Sequence, residues 1–232
     1  MADAEVPKKN SDLPVRVGSA VVMLAVAGGA LWLGGWVWTV FVAIVAIGVL
    51  WEWWGLVRRF VPGLPGQILW MLGGSSYIGL AALMLFVLRV IPLPLSQILL
   101  VAIILAVIGT DVGAYFAGRT IGGPKIAPAI SPSKTWSGLV GGMAGAATAL
   151  VLVTYQAEGF KDLGWKILAG GAVAIIAQIG DFFESWMKRR AGVKDASNLI
   201  PGHGGLFDRA DGLLAVLFVL GLIASFNFVF GS

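Results

Sequence analysis

The chain has 232 residues, of which 58% are hydrophobic and only 12% charged, with a net charge of +4 and no cysteine. A soluble domain carries roughly a quarter charged residues, so the composition excludes a water-soluble globule and makes the bilayer the solvent. Without cysteine there are no disulfides and no thiolate metal sites. The positive charge does not signal nucleic acid, because the basic residues lie in loops between apolar runs.

Residues 1–14 are polar and read as a disordered tail. No small-residue cleavage site follows a short apolar core, so the first apolar run is expected to remain as an anchor. The run 17–57 carries one charge, Glu52, and is too long for a single span of about 20 residues. Gly34-Gly35 divides it into spans near 15–33 and 36–57. Further spans are expected near 67–88, 96–118, 137–157, 164–187 and 210–230. The fold class is therefore all-α: a polytopic membrane protein of about seven transmembrane helices, with 15–232 forming one transmembrane domain. Ten Trp and 33 Gly fit this class, Trp at membrane interfaces and Gly where helices pack closely. No internal repeat is visible.

With seven spans the basic residues fall mostly on one side. The tail (Lys8, Lys9, Arg16), Arg58 and Arg59, the segment with Arg119, Lys125 and Lys134, and the segment with Lys188, Arg189, Arg190, Lys194 and Arg209 alternate with sparse loops. Those loops hold only Arg89, Lys161 and Lys166, three of the 16 Lys and Arg. The positive-inside rule makes the basic side cytoplasmic, so the N-terminus is expected inside and the C-terminus outside. Arg58 and Arg59 read as topology determinants. Glu52, flanked by Trp51, Trp53 and Trp54, reads as an interfacial residue.

Two basic-side stretches are richer than ordinary connectors. The first, 111–137, holds Asp111, Arg119, Lys125, Lys134, several Gly, and the hydroxyls of Ser131, Ser133 and Thr135. Basic side chains, free backbone N–H groups and hydroxyls are what polyphosphates need; a solvated positive-inside loop is the competing reading. In the second, 181–211, Asp181, Glu184, Ser185 and Lys188 follow i, i+3, i+4, i+7 and share a helix face. Intramembrane carboxylates are costly and normally face a polar cavity. Asp208 and Asp211 stand i, i+3 at the start of the last span. Carboxylates from two helices beside a basic loop fit a divalent cation holding a polyphosphate. Taken singly, Asp208 also fits a helix N-cap and Asp181 an ion pair. His203, the one histidine, cannot build a multi-histidine metal site; its neighbours Gly202, Gly204 and Gly205 fit backbone close to a ligand or a plain turn.

At these residues the sequence resembles the phosphatidate cytidylyltransferases, also called CDP-diacylglycerol synthases. From Ser185 to Asp211 the pattern is S-x-M-K-R, four residues, K-D-x-S, two residues, then I-P-x-H-G-G-L-x-D-R-x-D. The earlier stretch is similar through D-V-G-A-Y-F-A-G-R and I-S-P-S-K-T-W. Together these blocks cover about a quarter of the chain; elsewhere it matches only as hydrophobic helices. Ser137 stands where the family usually has Glu, and Ala210 where it usually has a larger apolar residue or Thr. The family often has more spans, so the chain looks like a short member with a trimmed N-terminal half.

The resemblance implies that CTP and phosphatidate react to CDP-diacylglycerol and pyrophosphate in phospholipid biosynthesis, at the cytoplasmic face of a bacterial inner membrane. It implies Mg²⁺, with room for a second cation. Asp181 and Asp208 are the expected metal ligands, with Glu184 and Asp211 completing the shell or orienting its waters. Lys188, Arg189, Lys194 and Arg209 are expected on phosphates. Ser131, Ser133, Lys134 and Thr135 would form a second phosphate-binding wall, with Arg119, Ser185, His203, Gly204 and Gly205 also at the substrate. Asp111 is an outer-shell group or a structural partner. Partners are CTP, phosphatidate and bilayer lipid, with a homodimer allowed. Two alternatives stay open: a CTP-dependent transferase acting on another lipid phosphate, and a cation-coupled transporter using Asp111, Asp181 and Glu184. Neither broken helices nor inverted repeats, frequent in transporters, are visible.

Overall fold

The computed structural model describes residues 13–92 and 95–230. Lys8 and Lys9, most of the expected disordered tail, and the C-terminal Ser232 lie outside the described residues. The described chain is mostly helical: α1 (Leu13–Leu33), α2 (Gly35–Phe60), α3 (Leu64–Val90), α4 (Ser96–Thr120), α5 (Trp136–Glu158), α6 (Leu163–Arg190) and α7 (Phe207–Phe230). All seven are long and apolar enough to cross a membrane. The break expected at Gly34-Gly35 is present. Both glycines have positive φ, 64° and 49°, which residues with a Cβ rarely adopt. Arg89 closes this corner by donating from Nε to the carbonyl oxygen of Leu31 at 2.9 Å, a basic side chain at a helix C-terminus.

One feature of the 121–135 segment departs from the all-helical expectation. It contains a two-stranded antiparallel hairpin, β1 (Lys125–Ala127) and β2 (Ser131–Thr135), pairing Lys125 with Thr135 and Ala127 with Ser131. Its polar, proline-containing sequence has no apolar alternation by which a strand is recognised. The hairpin runs directly into α5, whose first turn is capped by Thr135 Oγ1 accepting from the Gly138 amide at 3.1 Å.

Small residues set how closely the helices approach. On the α4–α5 seam, a Cβ added at Gly109 would lie 2.7 Å from the Gly145 carbonyl oxygen, and Gly113 and Gly141 face one another in the same way. This is backbone-to-backbone packing of the kind small residues allow in lipid. On the α6–α7 seam, a Cβ at Gly180 would meet the Asp211 carbonyl oxygen at 2.6 Å. Because Gly180 lacks one, α7 comes close enough for its first turns to face Asp181. Around Trp53 an aromatic cluster ties four helices together, with Trp70, Tyr77, Phe183 and Phe207 rings at 5.7–6.1 Å from it or linked through one another.

Contacts between distant segments place the basic segments at one end of the bundle. Ser19 of α1 meets His203, Glu52 of α2 meets Ser197, and Lys134 of the hairpin meets Asp181. Arg89 and Lys166, whose amine donates to the Gly159 carbonyl oxygen at 3.2 Å, belong to the other end. The alternation read from the basic residues is therefore a property of the fold; which end faces the cytoplasm is a separate matter.

Candidate active site

At the basic end, a cavity of about 290 Å³ opens between α4, the hairpin, α6 and the start of α7. Its charged lining is Asp111, Lys134, Asp181, Glu184, Lys188 and Asp208, with Asp195, Arg209 and Asp211. Three apolar helices would not carry such side chains to one cavity without a use for them, because an uncompensated charge away from water is expensive.

Two of the lining cations are ion-paired with lining carboxylates. Lys134, brought over by β2, pairs with Asp181. Lys188 bridges Glu184, one helical turn back, at 2.5 Å and Asp208 at 2.7 Å. Arg209 directs its Nε and Nη2 at the carbonyl oxygen of His203, at 3.0 and 2.7 Å, which holds the signature loop, residues 191–206 within the Ser185–Asp211 pattern, against the first turn of α7.

The four carboxylates expected to share a metal are divided by the structure. One oxygen from each of Asp181, Glu184 and Asp211 lies within 4.8 Å of the others. Glu184 is buried, and among the described residues its Oε1 has no hydrogen-bond partner. A buried carboxylate oxygen rarely stays unpartnered without reason, and three acidic oxygens at this spacing suit a hard divalent cation. Asp208 is placed differently. Its Oδ2 accepts from the amides of Gly205 at 2.7 Å and Ala196 at 2.9 Å, and its Oδ1 from Lys188. The reason is helical phase. Asp208 points back to the loop that precedes α7, and Asp211, one turn on, faces α6. Asp111 joins the cavity from α4, on the side of Lys134.

Not every residue expected at the site lines it. Thr135 is buried and serves as the α5 cap. Ser131 and Ser133 lie on the hairpin outside the lining, and Arg119 is exposed, with its guanidinium on the Tyr115 hydroxyl at 2.8 Å. Arg189 and Lys194 are also exposed and outside it. Ser185 reaches Asp181 Oδ1 at 3.4 Å. His203 faces α1, with Nδ1 2.8 Å from Ser19 Oγ. Gly204 and Gly205 form the turn into α7. Ser137, where the resemblance expects Glu, bonds to the Gly122 carbonyl oxygen and to Thr135.

One residue read as interfacial is held inside the protein. Glu52 is 1% exposed. Its Oε1 accepts from Ser197 Oγ at 2.6 Å and from the Leu206 amide at 2.9 Å; its Oε2 accepts from the Phe207 amide at 2.6 Å. Its burial beside Trp53 is a tertiary fact with no local sequence signal. Beside it, a second cavity of about 300 Å³ lies between the end of α2 and the signature loop, lined by Trp51, Arg58, Arg59 and Asn198 among others.

These features define a class: a multi-span membrane protein with a charged cavity at one end of the bundle, where clustered carboxylates stand beside Lys134, Lys188 and Arg209. Comparison with known proteins specifies it. Residues 65–226 match the model of the cytidylyltransferase family, and the chain belongs to that family. It is 34% identical to a phosphatidate cytidylyltransferase of Brucella melitensis over 93% of this chain and 94% of that protein. A protein of the same name from Rickettsia bellii is 32% identical over 89% of this chain and 88% of its own length. One from Haemophilus influenzae is 42% identical over 51% of this chain and 43% of its own length.

Proposed function

We infer that the chain transfers the cytidylyl group of CTP to phosphatidate, giving CDP-diacylglycerol and pyrophosphate. The observation that carries this reading is the cavity itself, formed by the signature residues in a chain similar to phosphatidate cytidylyltransferases almost end to end. The lipid's phosphate rests at the membrane surface and CTP arrives from water, so a site at the end of the bundle is accessible to both.

In the reaction, an oxygen of the phosphatidate phosphate attacks the α-phosphorus of CTP. A new P–O bond forms as the bond from the α-phosphorus to the β-bridging oxygen breaks, and pyrophosphate leaves with that electron pair. The nucleophile is already an anion, so no strong general base is required. The obstacle is repulsion between two polyanions, which positioned charge relieves. Lys188 and Arg209 line the cavity and are proposed to receive phosphate oxygens of CTP and of the leaving pyrophosphate; Lys134 does so from the hairpin. Lys188 is held in place by Glu184 and Asp208 before any substrate binds, which removes part of the cost of ordering it.

Asp181, Glu184 and Asp211 are the residues that would hold Mg²⁺, which supplies charge neutralisation to the triphosphate when bound. Asp208 orients Lys188 and the loop. The basic end is proposed to face the cytoplasm of a bacterial inner membrane, a reading supported by the distribution of Lys and Arg.

The test is purified protein with labelled CTP and phosphatidate in mixed micelles. The expected products are labelled CDP-diacylglycerol when the label is in cytosine, and labelled pyrophosphate when it is in the β-phosphate. Folded protein that turns over another lipid phosphate but not phosphatidate, or neither, would overturn the assignment.

A further inference from the structure

We propose that Glu52 is a positioning residue that sets the signature loop, and through it Asp208 and Lys188, from a helix outside the stretch matched by the family model. This role presupposes the cytidylyl transfer proposed above. Glu52 lies on α2, before the matched residues 65–226. It is a buried carboxylate, and among the described residues its three hydrogen-bond donors belong to the segment entering α7: Ser197 Oγ and the amides of Leu206 and Phe207. Among the described residues, no lysine or arginine makes an ion pair with it. Its charge is met by the amides at the start of α7, where the helix dipole favours an anion.

Asp208 holds the same turn from the other side. It accepts from the Gly205 amide at 2.7 Å and the Ala196 amide at 2.9 Å. The segment from Ala196 to Asp208 is thus clamped between two carboxylates, one from α2 and one from α7. The adjacent glycines make room for each. A Cβ at Gly204 would lie 2.8 Å from Asp208 Oδ2, and a Cβ at Gly205 would collide with the Glu52 carboxylate. Gly204 also has a φ of +82°, which favours glycine on backbone grounds. The Gly-Gly pair therefore fits two acidic side chains, with no need for backbone contact with a ligand.

The consequence for the reaction follows from Asp208 Oδ1, which holds Lys188 at 2.7 Å. If the turn slackens, Asp208 loses its two amides and Lys188 loses a fixed anchor. Glu52 then acts on turnover through Asp208, without touching substrate. A carboxylate is needed at 52, because a Gln would turn an N–H toward at least one of the donors now satisfied.

The test uses the full-length chain in detergent, as wild type, Glu52→Gln, Glu52→Asp, Asp208→Asn and the Glu52→Gln/Asp208→Asn double variant, with Ser197→Ala should Glu52→Gln fail to fold. Glu52→Gln is expected to lower kcat by about tenfold or more, as charge-assisted bonds to a buried anion are lost, while KM for CTP changes less than about threefold. Glu52→Asp is expected to recover part of the rate. The double variant should be no slower than Asp208→Asn, since residues acting through one another are not additive. Amide exchange at Leu206 and Phe207 should accelerate in Glu52→Gln or, in its place, Ser197→Ala. Multiplicative rate losses in the double variant, or a kcat within about twofold of wild type in the folded Glu52→Gln chain, would overturn the proposal. So would unchanged exchange at those two amides. The exchange measurement needs no turnover, so a wild-type chain inactive toward phosphatidate would sink the proposed function and leave the clamp decided separately.

Discussion

Lys188 and Lys194 carry the same charge close together in sequence, but only Lys188 lines the cavity. Lys194 is exposed in the following loop. Arg209 also lines the cavity, at the start of α7. If the cavity binds the phosphates, Lys188→Met and Arg209→Ala should lower kcat/KM by about tenfold or more, whereas Lys194→Ala should change it less than about threefold, given roughly 1.5–3 kcal/mol for each charge-assisted bond. Arg209→Lys should recover only part, because an ammonium does not reproduce a planar fork. Steady-state kinetics with folded protein quantified separately decides this, and equal losses at Lys188 and Lys194 would contradict it. The carboxylates divide in the same fashion. Asp181→Asn, Glu184→Gln and Asp211→Asn should each raise the Mg²⁺ concentration needed for half-maximal rate. Asp208→Asn should lower kcat without that displacement, because its oxygens hold amides and Lys188. A Mg²⁺ titration of the four variants separates the two groups; an identical displacement in all four would return Asp208 to the metal.

At the scale of elements, the site depends on how near α7 comes to α6. Gly180 is a point of close approach, against the Asp211 carbonyl oxygen and Ala215. Gly180→Val should force the helices apart, separate Asp181 from Asp211 and lower turnover by about tenfold or more, since overpacking a filled seam costs roughly 1–3 kcal/mol and shifts backbone. Gly164→Val, with no atom within 4 Å of an added Cβ on the same helix, is the control. Equal activity of the two variants would show that the seam does not govern the site. The same elements explain what was legible in advance. Seven spans were readable because about 20 apolar residues in a row have few other uses, and the observed helices extend the expected ones by no more than a few residues. The carboxylate cluster was readable as a cluster, because charges inside apolar runs stand out. Its internal division was not, since the i, i+3 spacing of Asp208 and Asp211 does not say which of them faces α6 and which faces the loop. The hairpin was hidden by its polar sequence. Glu52 was hidden because its partners are up to 155 positions away and its aromatic neighbours looked like an interface. The Ser137 position, in doubt from the resemblance, carries a loop hydrogen bond to the Gly122 carbonyl oxygen.

For the whole molecule, orientation is the question on which access to substrate depends. The bundle has a basic end, with the hairpin, the signature loop and the start of α1 together, and a sparse end with Arg89, Lys161 and Lys166. CTP is a cytoplasmic nucleotide, so the cavity proposed to bind it would work only with the basic end facing the cytoplasm. The electrostatics agree, because Lys and Arg near span ends are retained on the inner side. The chain contains no cysteine, so single cysteines report position without background. Ser133→Cys lies on the exposed part of the hairpin, and Lys161→Cys on an exposed turn at the opposite end. In intact cells, a membrane-impermeant maleimide is expected to label Lys161→Cys and spare Ser133→Cys. After the membrane is opened, both should label. Neither substitution removes a side chain that lines the cavity, so both variants should retain turnover and confirm that the labelled population is native. Labelling of Ser133→Cys in intact cells would place the site away from CTP, and the reaction proposed for it could not then proceed in the cell.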